Sequence, residues 1–157
     1  MKRFKPLKKP TLWFLLLFSF AGFLSSGYLT AEHYLGELPG CSIVGDCGLV
    51  ATSKYAQIGP VPLALVGVGY FLMLLFFFLA YVDTKRSIFL NLTFVLTSGG
   101  FFVALALLWL QFFIIGAICL YCLISDISSI IIFLILLSNY NISEASFFLR
   151  SQKVEKL

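Results

Sequence analysis

Charged residues along this chain are placed so that they leave uncharged runs at 10–31, 55–82, 87–125 and 127–143. About 20 apolar residues cross a hydrocarbon core, so runs of this length are read as material for membrane spans. The first predicted crossing covers 11–34 and includes the small-residue patch Ser25, Ser26 and Gly27. The second covers 61–82. Pro60 and Pro62 stand at its start, where the first helical N–H groups have no partners to lose, and Asp83, Lys85 and Arg86 close it. The run 87–125 is too long for one helix and divides between Trp109 and Phe113, giving crossings at 88–108 and 116–137. Residues 35–60 form the long loop after the first crossing, and 138–157 a polar tail in which Phe147, Phe148 and Leu149 suggest an interfacial helix. The pattern predicts an all-α integral membrane protein, one membrane domain over 1–157 built as a four-transmembrane-helix bundle.

Four crossings put both termini on one side, and the excess of Lys and Arg marks the cytoplasmic side. Lys2, Arg3, Lys5, Lys8 and Lys9 precede the first crossing, Lys85 and Arg86 separate the second from the third, and Arg150, Lys153 and Lys156 lie in the tail. The opposite side carries Lys54 alone. Both termini are therefore expected to be cytoplasmic. A signal peptide fits less well, because the first apolar run exceeds an h-region and no A-x-A-like site follows it. The triplets Asn91-Leu-Thr93 and Asn141-Ile-Ser143 fall at cytoplasmic ends and read as chance matches.

Composition narrows the class further. The chain has 157 residues, 61% hydrophobic and 11% charged, against about 25% charged in a soluble domain, which excludes an ordinary soluble fold. Disorder is excluded by the same hydrophobicity. The net charge of +4 is accounted for by topology, so no nucleic-acid role is read from it. The length holds four or five crossings and is expected to leave no room for a second soluble domain.

Chemistry concentrates in the cysteines. Cys41 and Cys47 lie in the loop after the first crossing, and Cys119 and Cys122 open the fourth. All four map to the external face, where disulfides form and persist. Cys119-Leu-Tyr-Cys122 is a CxxC at a predicted helix start, where partial positive charge and free N–H groups favour a thiolate. Cys41 and Cys47 lie among Gly36, Pro39, Gly40, Gly45 and Gly48, a stretch expected to be irregular and mobile. One mobile pair and one helix-bound pair suit a relay by thiol–disulfide exchange. Inert structural disulfides are a second use for four such cysteines. Zinc is a third, although structural zinc sites usually have short spacings in both halves and Cys41 to Cys47 is longer.

The order of these features resembles the bacterial vitamin K epoxide reductase family: two loop cysteines, then Ser53-Lys-Tyr-Ala56, the proline-started Val61-Pro-Leu-Ala-Leu-Val-Gly67, and Leu110-Gln-Phe-Phe-Ile-Ile-Gly-Ala ahead of the CxxC. The likeness covers nearly all of 11–137. Chain order distinguishes it from the DsbB-type quinone-coupled thiol oxidases, whose CxxC comes in the first half. Two departures stand out. Pro60 occupies a position that is usually glycine in the family, with Gly59 just before it, and the thioredoxin-like domain fused to many bacterial members has no room here.

The resemblance implies a four-helix bundle enclosing a quinone, ubiquinone or menaquinone, near the CxxC, with the external loop as a half-helix cap. Carried over, Cys41 would accept electrons from a separate thioredoxin-fold (DsbA-like) thiol oxidase, Cys47 would pass them to Cys119, and Cys122 would face the quinone, with Ser53 beside it. The implied setting is a bacterial inner membrane with the cysteines on the periplasmic side, and no metal is implied. Asp126, one helical turn beyond Cys122, is a candidate proton relay, since an ionisable residue inside an apolar span is a functional hypothesis by default. Glu32 and His33 read as interfacial residues, and Ser98-Gly99-Gly100 as a close helix-packing patch. The leading expectation is a quinone-dependent thiol oxidoreductase. The alternative is a non-enzymatic membrane scaffold or sensor with structural disulfides.

Overall fold

A computed structural model describes residues 7–36, 40 and 46–140. The loop cysteine Cys41 and the tail with its expected interfacial helix lie outside the described residues. Among the described residues, four helices are long and apolar enough to cross a membrane, and each begins or ends where local chemistry forces it. Helix α1 (Lys9–Leu35) takes Pro10 in its first turn and stops at Gly36, whose left-handed φ of 71° turns its N–H back to the carbonyls of Glu32 and His33. Such a φ suits glycine because no Cβ meets the following carbonyl.

After the loop comes α2 (Cys47–Ala51), a single turn capped by Asp46, whose side chain accepts the Leu49 N–H at 3.0 Å. The expectation of an irregular stretch therefore fails at its C-terminal end. The cap satisfies a first-turn N–H that has no partner within the helix. The second span also starts later than expected. Val61–Pro62 (β2) pairs antiparallel with Gln57–Ile58 (β1), and α3 (Leu63–Thr84) begins only after Pro62. The two-residue turn between these strands is Gly59-Pro60, with Gly59 at φ 63°, so glycine supplies the left-handed position and proline gives up an N–H that the hairpin does not need.

A short turn, in which Lys85 takes φ 54°, joins α3 to α4 (Ser87–Trp109). The chain then widens into a π-helical turn, Leu110–Ile115, closed by the Gly116 N–H on the Gln111 carbonyl at 3.0 Å. Gly116 at φ 68° ends it, and α5 (Leu120–Asn139) starts beyond Cys119 rather than at 116. The left-handed glycine breaks the helical run and sets Cys119 as the new N-cap.

Helix α1 packs on α3 and α5, and α4 closes the bundle against both of them. Leu15, Leu74, Phe78, Ile132 and Leu136 have no exposed surface and, with Leu12, Phe71, Tyr81 and Leu90, fill the bundle at the end that carries Lys8, Lys9, Lys85 and Arg86. The Leu7 N–H reaches the Tyr81 hydroxyl at 3.4 Å and ties the residues just ahead of α1 to the end of α3. Side chains such as Trp13, Phe14, Leu17, Phe76 and Phe102 point outward, as lipid-facing positions do. Hydroxyls inside the spans bond back along their own helices, Ser19 to the Leu15 carbonyl at 2.8 Å and Thr97 to that of Thr93 at 2.9 Å, because the hydrocarbon offers no water to satisfy them.

Candidate functional site

The opposite end of the bundle is hollow. A cavity of about 360 Å³ lies between α1, α3, α4 and α5 under the 50–56 segment, within the size range of sites that hold small organic ligands. Its wall is mainly apolar, and four of its polar or sulfur-bearing residues fall on one face of α5: Cys122, Ser125, Asp126 and Ser129. That spacing is i, i+3, i+4, i+7, one stripe of a helix.

The two cysteines of the CxxC differ in their access to the cavity. Cys119 is fully buried and packs in one cluster with Cys47 and Val50 of α2, while Cys122 lines the cavity. Both are free thiols, and Cys47 is disulfide-bonded. Cys119 caps α5 with its own sulfur, which accepts the Cys122 N–H at 3.3 Å. A sulfur in that place gains from the helix terminus when it is negatively charged.

Ser53 also lines the cavity. Its backbone is pinned at both ends, N–H to the Val50 carbonyl at 3.2 Å and carbonyl to the Ala56 N–H at 3.0 Å. Its hydroxyl is buried with no hydrogen-bond partner among the described residues. Most buried hydroxyls are satisfied, so one that is not calls for an absent partner. A quinone carbonyl, an acceptor on a flat apolar ring, matches both that donor and the apolar wall. On this observation the residues present fit a quinone.

Asp126 is 6% exposed in the cavity wall. Its Oδ2 receives a long contact of 3.5 Å from the side-chain Nε2 of Gln111, and the Oε1 of Gln111 accepts the Cys119 N–H at 3.0 Å. Deeper in, the Tyr70 and Ser129 hydroxyls pair at 2.8 Å, and those of Ser26 and Ser125 at 3.2 Å.

The structure thus brings Cys47, Cys119, Cys122, Ser53 and Asp126 to one end of the bundle. Gln111, Tyr70, Ser125 and Ser129 are additions that the sequence reading missed. The signal for the α5 serines was present as the helical spacing from Cys122, whereas Gln111 stands out in sequence only as one amide in an apolar stretch. Two smaller expectations change. His33 is part of the cavity wall rather than only an interfacial residue. The 98–100 patch packs closely only at Gly100, where a Cβ would run into Tyr70, while Gly99 has open space and borders the cavity.

No curated protein matches the chain. A profile described as Vitamin K epoxide reductase family matches residues 13–137, from the first turns of α1 to the last of α5. The match spans all four crossings and the whole site, and the chain belongs to the vitamin K epoxide reductase family, membrane oxidoreductases of a quinone-linked, thiol-using kind.

Proposed function

We propose that this protein oxidises the dithiol of a separate thioredoxin-fold partner and delivers the electron pair to a membrane quinone, ubiquinone or menaquinone. The observation that carries the reading is that one cavity wall holds both the free thiol of Cys122 and the buried Ser53 hydroxyl.

The partner's two thiols would become a disulfide as the disulfide of Cys41 and Cys47 is reduced. Cys47 would then attack Cys119 when that residue is disulfide-bonded to Cys122. The burial of Cys47 beside Cys119, with Cys122 turned to the cavity, supports that choice of sulfur, because exchange needs the attacking and leaving sulfurs in line. Displacement at Cys119 leaves Cys122 as the thiolate on the cavity wall, and Cys41 resolves the mixed disulfide. The helix terminus and the Cys122 N–H then hold Cys119 ready to close the ring again. A bound quinone supplies a two-electron, two-proton acceptor, and Ser53 would hold it. Asp126, one turn past Cys122, is the side chain proposed to give a proton. The end of the bundle with Lys8, Lys9, Lys85 and Arg86 would face a bacterial cytoplasm, which puts the cysteines on the periplasmic side of the inner membrane.

The test is direct. Purified protein mixed with a reduced thioredoxin-fold dithiol and a soluble quinone should bleach the quinone absorbance, and Cys122→Ala should abolish it. No turnover with the wild type, or turnover that survives Cys122→Ala, overturns the reading.

A further inference from the structure

Gln111 is 3% exposed, and both ends of its carboxamide are used inside the site. Which end faces which group is fixed by chemistry. The Cys119 N–H can only donate, so it must meet Oε1, and Nε2 is left for Asp126. The backbone of Gln111 is held as well, since its carbonyl closes the π-helical turn on Gly116. Such turns are frequent at functional sites. Cys119 caps α5 with φ −104° and ψ 114°, and its sulfur reaches the Cys122 N–H only while that backbone is held. Among the described residues, the group bonded to the Cys119 N–H is Gln111.

We propose that Gln111 is a positioning residue for the CxxC: one carboxamide clamps the Cys119 backbone and the Asp126 carboxyl together and thereby sets the redox equilibrium of the Cys119/Cys122 pair. This deepens the redox reading of the site and rests on it. The clamp keeps the Cys119 sulfur in its capping position, which favours the thiolate and so the reduced pair. A pair whose reduced form is stabilised is the stronger oxidant.

The experiment uses the full chain in detergent, equilibrated in mixtures of reduced and oxidised dithiothreitol. The reaction balances as two cysteine S–H bonds replaced by one S–S bond, with two electrons and two protons passed to oxidised dithiothreitol. Maleimide trapping and mass spectrometry of the 119–122 peptide read the ratio. Gln111→Leu should shift the equilibrium about five-fold towards the disulfide, the worth of one hydrogen bond. Gln111→Glu, equal in shape, should shift it the same way, because it sets a second carboxyl oxygen against Asp126. The double exchange Gln111→Glu with Asp126→Asn restores a donor–acceptor pair and should return most of the shift. Equilibria within two-fold of wild type in both single variants, or a double variant that returns nothing, overturn the proposal. Should Gln111→Leu fail to fold, the isosteric Glu variant and the double exchange decide alone. The assay contains neither quinone nor partner, so failure of the proposed overall reaction shows separately.

Discussion

Ser53→Ala should stabilise the protein without ligand and weaken it as an enzyme, and the two effects have one cause. The Ser53 hydroxyl is buried in the cavity wall with no partner among the described residues. Leaving a buried hydroxyl unsatisfied costs about 1–3 kcal/mol. Alanine removes the oxygen and little else, so the ligand-free variant should gain roughly 1 kcal/mol or more, read as a thermal midpoint a few degrees higher in detergent. With quinone bound, the wild type recovers a hydrogen bond worth about 0.5–1.5 kcal/mol net. The variant cannot, so its KM for quinone should rise roughly 2- to 12-fold at a tenfold per 1.4 kcal/mol. The assay pairs thermal melts, with and without a short-chain quinone, with steady-state kinetics over a quinone series. A Ser53→Ala protein that melts no higher than wild type without quinone and keeps its KM would refute the reasoning, because the hydroxyl would then have been neither unsatisfied nor aimed at ligand.

Three further outcomes are expected. Cys47→Ala should block oxidation of a protein dithiol yet leave quinone reduction by a small membrane-permeant dithiol largely intact, and equal loss of both counts against two separate pairs. Asp126→Asn should slow quinone turnover about 100-fold, the scale of one general acid, and flatten its pH profile; unchanged turnover and profile remove the proton role. Gly22→Ala drives a Cβ into the tip of the Phe71 ring and should cost about 1–3 kcal/mol through overpacking, with Phe71→Leu in the same chain recovering most of the lost thermal midpoint; an unchanged midpoint in the single variant would show that the ring moves freely.

The spans were legible because the first three are long apolar runs with charges near their ends, such as Glu32 and Asp83, and the fourth is interrupted only by Asp126. Their ends were less so, because each depends on one backbone position. Gly116 in the left-handed region moves the start of α5 to Leu120, and the Gly59-Pro60 turn converts Val61 and Pro62 from helix to ribbon. In the site, the cysteines came from motif and spacing, Ser53 from the family resemblance, and Asp126 from the cost of a charge in hydrocarbon. Uncharged polar residues were harder to interpret, because a Ser or Thr in a span commonly bonds its own helix, as Ser19, Thr93 and Thr97 do here. Ser125 and Ser129 differ only in having partners on other helices. That partnership is tertiary, and only the periodicity from Cys122 hinted at it. Gln111 carries even less local signal, since its two bonds reach across a turn that the sequence could not shape.

The division of the bundle into a filled end and a hollow end follows from side-chain size at inward positions. Where α1, α3, α4 and α5 meet near Lys85, those positions are Leu15, Leu74, Phe78, Leu90 and Leu136. Towards the cysteines they become Ser26, Gly67, Gly99, Gly100, Ala104 and Ser125, all of which border the cavity. Small residues usually let helices close up, and Gly67 does so against Ser26 of α1, yet α3 and α5 stay apart. Tyr70 reaches across from α3 to Ser129 on α5, and its ring lies where a side chain at Gly100 would stand. Gly100 makes room for that bridge, and the bridge in turn spaces α3 from α5. Below it the bundle is closed by Phe71, which fills the space left by Gly22. A cavity held open in this way presents a preformed floor of hydroxyl and ring, so a ligand entering it need not pay to separate the helices, and its orientation is left to polar groups above that floor, Ser53, Cys122 and Asp126 among them.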